Sequence, residues 1–360
     1  MKTLEQQVVD KYALTPEEIK TITGTVIGAL TFNKLPSQNP LAIVVGGQPG
    51  SGKTALINYT KQISSERNFI VIDNDFFRNF HPKAKEIKQY YPNFFTQATD
   101  QLGMGITSDV INFCVDNNFD IIFHQTLKNK RIGDDAISLF RESGYTVGVR
   151  VFAVPFFESS MSQIERYLGQ AEKLGYCRYA TQEGHLTAYT GLPNTVEYLE
   201  QKGLYDFMQV YTRSNDISSP TLIYSNFNPD TFSKTSAALS NCENISTQTQ
   251  NYGFLSAKNA VLEARCVQAE ELSKTMPERL QVAISSPFNN QEISNRIKEL
   301  EFALSFITNN EGICNQILAT QNHKDCLENS EVLSYVEDLK TTMLCPNLPT
   351  QNPIDFQEQN

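Results

Sequence analysis

Hydrophobic residues in the first two thirds of the chain form short continuous runs, separated by stretches with helical spacing. Runs that are apolar at every position are typical of parallel strands covered by helices on both faces. The repeated order of strand, helix and strand predicts an α/β fold with a doubly wound, mostly parallel sheet. The predicted strands lie at 41–45, 69–72, 119–123, 147–155, 207–211 and 221–224.

Helical spacing of apolar residues predicts the elements that lie between and after these strands. A helix should begin near Thr15, because Thr15 can cap it, Pro16 suits its first turn and Glu18 completes a capping box. Pro193 predicts the start of another helix by the same preference for the first turn. Further helices are predicted at 93–117, 134–143, 257–274, 291–307 and 332–344.

The pattern changes after residue 225, where strand signals stop and only helical spacing remains. The sequence therefore predicts an N-terminal helical segment at 1–40, an α/β domain at 41–225 and an α-helical region at 226–345. The tail at 346–360 is rich in Pro, Gln and Asn, a composition that predicts disorder.

Composition excludes several classes of protein. A net charge of −10 and a pI near 5.0 argue against general nucleic-acid binding, which needs a basic surface. No apolar run approaches the roughly 20 residues of a membrane span, and the N-terminus lacks the apolar core of a signal peptide. The seven cysteines are scattered without paired spacing, and the histidines lack zinc-site spacing. These features predict a cytoplasmic protein without disulfides or a zinc site.

The first apolar run leads directly into a Gly-x-x-x-x-Gly-Lys-Thr motif, the pattern of a phosphate-binding loop. Its glycines let backbone N–H groups point inward around a phosphate, and the following helix directs its positive end at the same anion. Lys53 would reach the β- and γ-phosphates of ATP, and the Thr54 hydroxyl would hold Mg²⁺. The predicted ATP-binding residues are Gly47, Gln48, Pro49, Gly50, Ser51, Gly52, Lys53 and Thr54.

Polar residues follow the second and third predicted strands at the sheet edge where ligands of open α/β folds bind. Asp75 there can accept the proton of an acceptor hydroxyl, and Asp73 can do so or can close the strand as an Asx turn. His124 stands where many phosphate-loop proteins carry a magnesium-binding acid. It either bonds the acceptor or caps the sheet edge.

Two arginines after the core strands are candidates for stabilising the transferred phosphoryl group. Arg166 and Arg178 lie where kinases keep lid arginines, although helical arginines are more often surface residues. The basic residues at 128–131 are interpreted as a solvated loop face.

Residues 41–213 resemble the zeta toxins of bacterial toxin–antitoxin systems. The shared features, in order, are the phosphate-binding loop, Ile72 to Asp75 with His81-Pro82, Ala153 to Pro155, Ile164 to Tyr167, Arg178, and Leu192-Pro193. The resemblance implies a P-loop kinase that transfers the ATP γ-phosphate to a hydroxyl of UDP-N-acetylglucosamine. It also implies Lys53 as the ATP lysine, Asp75 as the base, and Arg166 and Arg178 as lid arginines.

The acceptor side departs from the family pattern. The family places an acid followed by Gly-Thr after the third strand, whereas this chain has His124 and Gln125 before Thr126. A second family acid falls near Ser108. We therefore predict His124, Thr126, Ser108 and Asp75 as substrate-binding residues, but another nucleotide-like acceptor remains an alternative.

Two further alternatives concern the whole chain. It is either an enzyme or a non-catalytic protein whose helical region binds a partner in an ATP-dependent manner. The resemblance implies an antitoxin-like inhibitor as one partner. The additional helical region is also compatible with an effector protein that is delivered into another cell.

Overall fold

A six-stranded sheet forms the centre of the fold and has the strand order β2-β3-β1-β4-β5-β6. The computed structural model describes residues 2–174, 180–214, 219–228, 256–265 and 269–309. Strands β1 to β5 run parallel to their neighbours, and β6 pairs antiparallel with β5. The strands are β1 (Leu41–Gly46), β2 (Ile70–Ile72), β3 (Ile121–His124), β4 (Thr146–Phe152), β5 (Phe207–Thr212) and β6 (Thr221–Phe227). The predicted mostly parallel α/β sheet is confirmed.

Helices cover both faces of this sheet, which explains the apolar runs. Alternate residues of β1 enter different cores: Ala42 and Val44 pack on one face, and Ile43 and Val45 on the other. Every residue of β1 is buried, as a strand covered on both faces requires. The helices that precede β1 or connect the strands along the chain are α1 (Leu4–Lys11), α2 (Pro16–Thr31), α3 (Lys53–Ile63), α4 (Asn74–Phe77), α5 (Ala84–Tyr90), α6 (Phe95–Ala98), α7 (Asp100–Asp116), α8 (Ser138–Glu142), α9 (Phe156–Leu174) and α10 (Gln182–Lys202).

The capping box predicted at Thr15 is present, whereas the helix start predicted at Pro193 is wrong. Helix α10 begins at Gln182, where the Thr181 side chain accepts a hydrogen bond from Gly184 N, and Pro193 lies inside the helix. Proline has no N–H, so Pro193 cannot donate to the carbonyl of Tyr189 one turn earlier. The Tyr189 carbonyl instead accepts a hydrogen bond from the Arg265 side chain, which lies outside this helix.

Other predicted elements also differ in extent. The helix predicted at 257–274 ends at Ala264, and a separate helix begins at Ala269. The strand predicted to reach residue 155 ends at Phe152, after which Ala153 N donates to Tyr211 O on β5. The helix predicted at 93–117 is divided at Thr99 between α6 and α7. The helix predicted at 134–143 begins with a π-helical turn at Gly133–Ile137 that continues into α8.

Helix α1, which the sequence pattern did not predict, is held to the body of the fold through His81. The His81 Nδ1 atom accepts a hydrogen bond from Lys83 N at 3.0 Å, so the ring carries its proton on Nε2. Nε2 then donates to Tyr12 O at 2.9 Å, just beyond the end of α1. Burial of the ring lowers the pKa of His81 below its usual value of 6.5, because charging a buried ring costs solvation.

This neutral histidine predicts a pH-dependent contribution to stability. Because the folded pKa lies below 6.5, the contribution of His81 is complete above pH 6.5 and is lost as the pH falls toward the folded value. We expect His81→Gln, whose amide N–H can replace the donor to Tyr12 but whose oxygen does not lie at the Nδ1 position that serves Lys83, to lower the unfolding free energy by about 1 kcal/mol at pH 7.5. Unfolding of both proteins at pH 7.5 and 5.5 checks this, since the difference should shrink at pH 5.5. A difference that grows there would contradict the assignment.

Three further helices are described after β6: α11 (Ala257–Ala264), α12 (Ala269–Ile284) and α13 (Gln291–Asn309). The chain divides into two compact units, residues 1–266 and 267–360, so that α11 belongs to the first and the other two helices to the second. The domain boundaries drawn from the sequence stay predictions, and the segments at 332–344 and 346–360 lie outside the described residues. None of the helices in the described ranges is long and apolar enough to cross a membrane.

Helix α11 is joined to α10 by ionic contacts at its N-terminal end. Glu200 accepts hydrogen bonds from Ala257 N, where a carboxylate is favourable because the first N–H groups of a helix have no internal partner. Lys258 pairs with Glu197 at 3.0 Å. Ala257 is buried in the same core as one face of the sheet, together with Ala260 and Val261. These contacts hold α11 against the α/β body.

Candidate active site

The loop between β1 and α3 has the backbone conformation of a phosphate-binding loop. Gly50 and Gly52 have φ angles of +78° and +107°, which residues with a Cβ rarely adopt. Space is also lacking, because a Cβ on Gly50 would lie 2.1 Å from Ser159 O on α9. Helix α3 begins at Lys53 directly after the loop, so its N-terminal N–H groups face the anion position.

A methyl group at residue 50 is therefore expected to abolish ATP binding. We predict that Gly50→Ala raises the Kd for ATP by at least about 100-fold, because both the positive φ and the contact with Ser159 O must relax. Gly144→Ala is the matched control, since Gly144 also has a positive φ of +84° but a Cβ added there would meet nothing within 4 Å. Titration calorimetry with ATP separates the two variants. Equal losses of affinity would show that backbone strain alone matters.

Lys53 is the buried cation of the loop. Its Nζ donates to the backbone carbonyls of Gly47 at 2.7 Å and Gln48 at 3.0 Å. Burial and, to a smaller extent, the charge of Arg166 lower the pKa of Lys53 to about 8, against the opposing charges of Asp75 and Asp73. Lys53 is thus mainly protonated at neutral pH.

The electrostatic influence on Lys53 identifies its neighbours. Arg166 on α9, together with Asp75 and Asp73 after β2, acts on the Lys53 ammonium strongly enough to shift its pKa. Elements distant in sequence therefore bring two cations and two carboxylates to one edge of the sheet. Arg178, the other arginine predicted from the sequence, lies outside the described residues.

Asp73 and Asp75 have different roles in the local structure. Asp73 caps α4, and its Oδ1 accepts a hydrogen bond from Asp75 N at 2.9 Å, as the Asx-turn interpretation anticipated. The Asp75 carboxylate is 52% exposed and lies 3.6 Å from Arg78 Nε. Asp75 is thus the more exposed carboxylate of the two, while Asp73 fixes the turn that carries it.

His124, at the end of β3, is paired with Asp73. Its Nδ1 lies 3.1 Å from Asp73 Oδ2, and its buried Nε2 has no hydrogen-bond partner among the described residues. Burial opposes ionisation of Asp73, but the hydrogen bond and charge of His124 hold the pKa of that carboxyl below its usual value. His124 therefore orients Asp73, the residue that in turn fixes Asp75.

The other predicted acceptor residues lie on neighbouring elements. Thr126 is half-buried in the loop after β3, and Ser108 is exposed on α7. Ser108 follows Met104 by one turn on the same helix face, and the Met104 sulfur accepts a hydrogen bond from Asn74 Nδ2 at 3.4 Å. This contact places the Ser108 face of α7 beside the turn that carries Asp75.

Sequence reasoning missed two arginines in this region. Arg78 contacts Asp75 and also donates to Asp100 Oδ1 at 2.7 Å, and its spacing of three residues from Asp75 could have suggested the first of these contacts. Arg213, at the end of β5, donates to Gly50 O at 2.7 Å and pairs with Glu158. Nothing local marks Arg213, because its partners lie far away in the sequence.

A metal would have few protein ligands at this site. No cluster of three or more His, Cys, Asp or Glu side chains suited to a metal lies in the described part of the chain. The Thr54 side chain is exposed on the first turn of α3, where a hydroxyl can join a metal that is also held by phosphate oxygens. The residues present fit Mg²⁺ bound together with ATP.

Comparison with known proteins decides the family. The zeta toxin sequence profile matches residues 27–225, more than half of the chain and the whole of the site described above. The chain belongs to the zeta toxin family. The sequence resemblance noted above is thereby confirmed.

Individual relatives agree with this assignment. The zeta toxin of Enterococcus hirae is 29% identical over 185 residues, which is 51% of this chain and 64% of that protein. The PezT toxin of Streptococcus pneumoniae is 26% identical over 204 residues, 55% of this chain and 79% of the toxin. The match to the E. hirae toxin thus spans less than two thirds of that protein's length.

A solved structure shares the fold. The structure of the PezAT chromosomal toxin–antitoxin system of S. pneumoniae aligns with a TM-score of 0.60 and 20% identity, covering 76% of this chain and 99% of its counterpart. At this identity the likeness shows the fold alone. It agrees with the P-loop kinase architecture predicted from the sequence.

Proposed function

We propose that this zeta toxin family protein is an ATP-dependent phosphotransferase that moves the γ-phosphate to a hydroxyl of a nucleotide sugar such as UDP-N-acetylglucosamine. The observation that carries the proposal is the convergence of Lys53, Arg166 and Asp75 beside the phosphate-binding loop. Two cations suit the charge of a transferred phosphoryl group, and an accessible carboxylate suits the proton of the attacking hydroxyl.

Each residue has a separate task in this proposal. The loop N–H groups and the start of α3 bind the phosphates, and Lys53 exchanges its carbonyl contacts for phosphate oxygens. Arg166 and, by resemblance, Arg178 stabilise the charge that develops on the γ-phosphate. Asp75 orients the acceptor hydroxyl and takes its proton. Bound Mg²⁺ would neutralise part of the phosphate charge, with Thr54 as its protein ligand.

The identity of the acceptor depends on the residues around Asp75. His124, Thr126 and Ser108 are the candidate substrate contacts, but His124 uses Nδ1 to hold Asp73. His124 carries no carboxylate that could accept hydrogen bonds from the hydroxyls of a sugar, and its Nδ1 is already paired with Asp73. This pairing favours a second candidate, a kinase for another nucleotide-like acceptor.

A protein partner is also proposed. The PezAT structure is that of a toxin–antitoxin system, and this chain shares its fold. We infer that an antitoxin-like inhibitor or another protein partner binds this chain, with the C-terminal helices as a candidate surface. Activity in the cytoplasm follows from the proposed substrate, which is a cytoplasmic class of metabolite.

Incubation with Mg²⁺-ATP and UDP-N-acetylglucosamine, followed by mass spectrometry, tests the proposal. A product heavier by one phosphate, absent without enzyme, supports the nucleotide-sugar acceptor. ATP binding without that product, followed by phosphorylation of another nucleotide in a metabolite screen, supports the second candidate. ATP binding without any phosphorylated product would favour a non-catalytic, ATP-dependent interaction protein.

A further inference from the structure

Arg265, directly after α11, is a buried arginine that the proposed reaction does not use. The residue is only 7% exposed, and burial lowers its pKa to about 10, so it stays charged at neutral pH. Its Nε is buried without a hydrogen-bond partner among the described residues. Burying a guanidinium costs free energy unless its N–H groups are hydrogen-bonded, so the other N–H groups of Arg265 should have partners.

The first contact of Arg265 is created by Pro193. Because Pro193 lacks an N–H, the Tyr189 carbonyl in α10 receives no hydrogen bond from it. Arg265 Nη1 donates to this carbonyl at 2.7 Å, and the guanidinium lies 3.8 Å from the centre of the Tyr189 ring. A proline inside a helix thus leaves a free carbonyl acceptor that holds the Arg265 guanidinium in place.

The second contact of Arg265 reaches the phosphate-binding loop. Its Nη2 donates to Gln48 Oε1 at 3.2 Å, and Gln48 Nε2 donates to Val154 O at 2.8 Å. Both ends of the fully buried Gln48 side chain are therefore held. Gln48 is the second residue of the loop, and its own backbone carbonyl accepts from Lys53 Nζ at 3.0 Å. The chain of contacts runs from Pro193 through Arg265 to the residue that Lys53 contacts.

We propose that Arg265 is a positioning residue of the ATP site, which fixes the Gln48 side chain and with it the shape of the phosphate-binding loop. The proposal rests on the proposed function. The family match ends at residue 225, before α11 begins. The role of Arg265 would make α11 part of the nucleotide-binding machinery. In this proposal Arg265 acts on the loop through Gln48.

Titration calorimetry of the full chain with ATP tests this role. Arg265→Met is expected to raise the Kd for ATP about tenfold, since a charged hydrogen bond that preorganises the loop is lost. Arg265→Lys keeps the charge but cannot serve both acceptors, so a smaller rise of about threefold is expected. Lys258→Met is the matched control: it removes a contact between α11 and α10 without touching the loop, and its Kd should stay unchanged.

A double-mutant cycle with Gln48→Leu separates positioning from general stability. If Arg265 acts through Gln48, the double variant should bind ATP no more weakly than the weaker single variant. Additive losses, an unchanged Kd in Arg265→Met, or an equal rise in Lys258→Met would overturn the proposal. If Arg265→Met does not fold, the cycle is run with Arg265→Lys under the same criteria.

The same titration separates this proposal from the proposed function. Wild-type protein that binds no ATP would overturn the proposed function and the role of Arg265 with it. Tight wild-type binding that Arg265→Met leaves unchanged would overturn the role of Arg265 alone.

Discussion

Asp75→Asn is expected to lower kcat about 10²- to 10⁴-fold while changing the affinity for ATP less than about threefold. The substitution keeps the size of the side chain but removes its capacity to accept the acceptor proton. Asp75 lies beside the phosphate-binding loop but is not part of it, since the turn after β2 that Asp73 caps carries this residue. Chemistry should therefore be lost and nucleotide binding kept.

Single-turnover phosphorylation and ATP titration of the same preparations measure the two effects. Asp100→Asn is the matched control, because Arg78 contacts both carboxylates, at 3.6 Å from Asp75 and 2.7 Å from Asp100. Normal transfer by the Asp100 variant would show that losing a partner of Arg78 is not the cause. Turnover by Asp75→Asn at the wild-type rate would remove Asp75 from the role of base.

Lys53→Met is expected to lower kcat/KM for ATP about 10²- to 10³-fold, because it removes a preorganised cation from the transferred phosphate. The fold itself should not suffer. The buried ammonium of Lys53 carries a desolvation cost, visible in its lowered pKa of about 8, and methionine fills similar volume without that cost. We expect the melting temperature without ATP to be unchanged or higher.

Thermal unfolding with and without ATP checks both parts of this prediction. ATP should raise the melting temperature of the wild type and not that of Lys53→Met, because a ligand stabilises only a protein that binds it. Lys61→Met, an exposed change near the end of the same helix, should respond to ATP like the wild type. A lower melting temperature in Lys53→Met without ATP would mean that its contacts with Gly47 and Gln48 stabilise the fold.

Elements with strong local signals were predicted well. The strand Leu41–Gly46, the phosphate-binding loop and the capping box at Thr15 are each specified by residues within a few positions of one another. Buried strands are marked by continuous apolar runs, and loops with positive φ by glycine. The start of α10 was misplaced because the rule for proline at a first turn competes with tertiary packing, which here accepts Pro193 inside a helix.

The site residues proposed from the sequence are those that local signals mark. Lys53 and Asp75 could be proposed because a motif and a strand end mark them. The assignment of His124 stayed open between two roles, and its contact with Asp73 depends on how β2 and β3 pair. Arg213 and Arg265 were missed, since their contacts with the loop join residues that are remote in sequence.

The parallel sheet, the phosphate-binding loop and the zeta toxin resemblance could be read from the amino-acid sequence alone, because hydrophobic periodicity and glycine positions are local properties of a chain. The contacts of His124 with Asp73 and of Arg265 with Gln48 became evident from the three-dimensional structure. Such contacts form when elements that are distant in sequence pack together. The buried guanidinium of Arg265, for example, donates to the Tyr189 carbonyl, which Pro193 leaves without its helical donor.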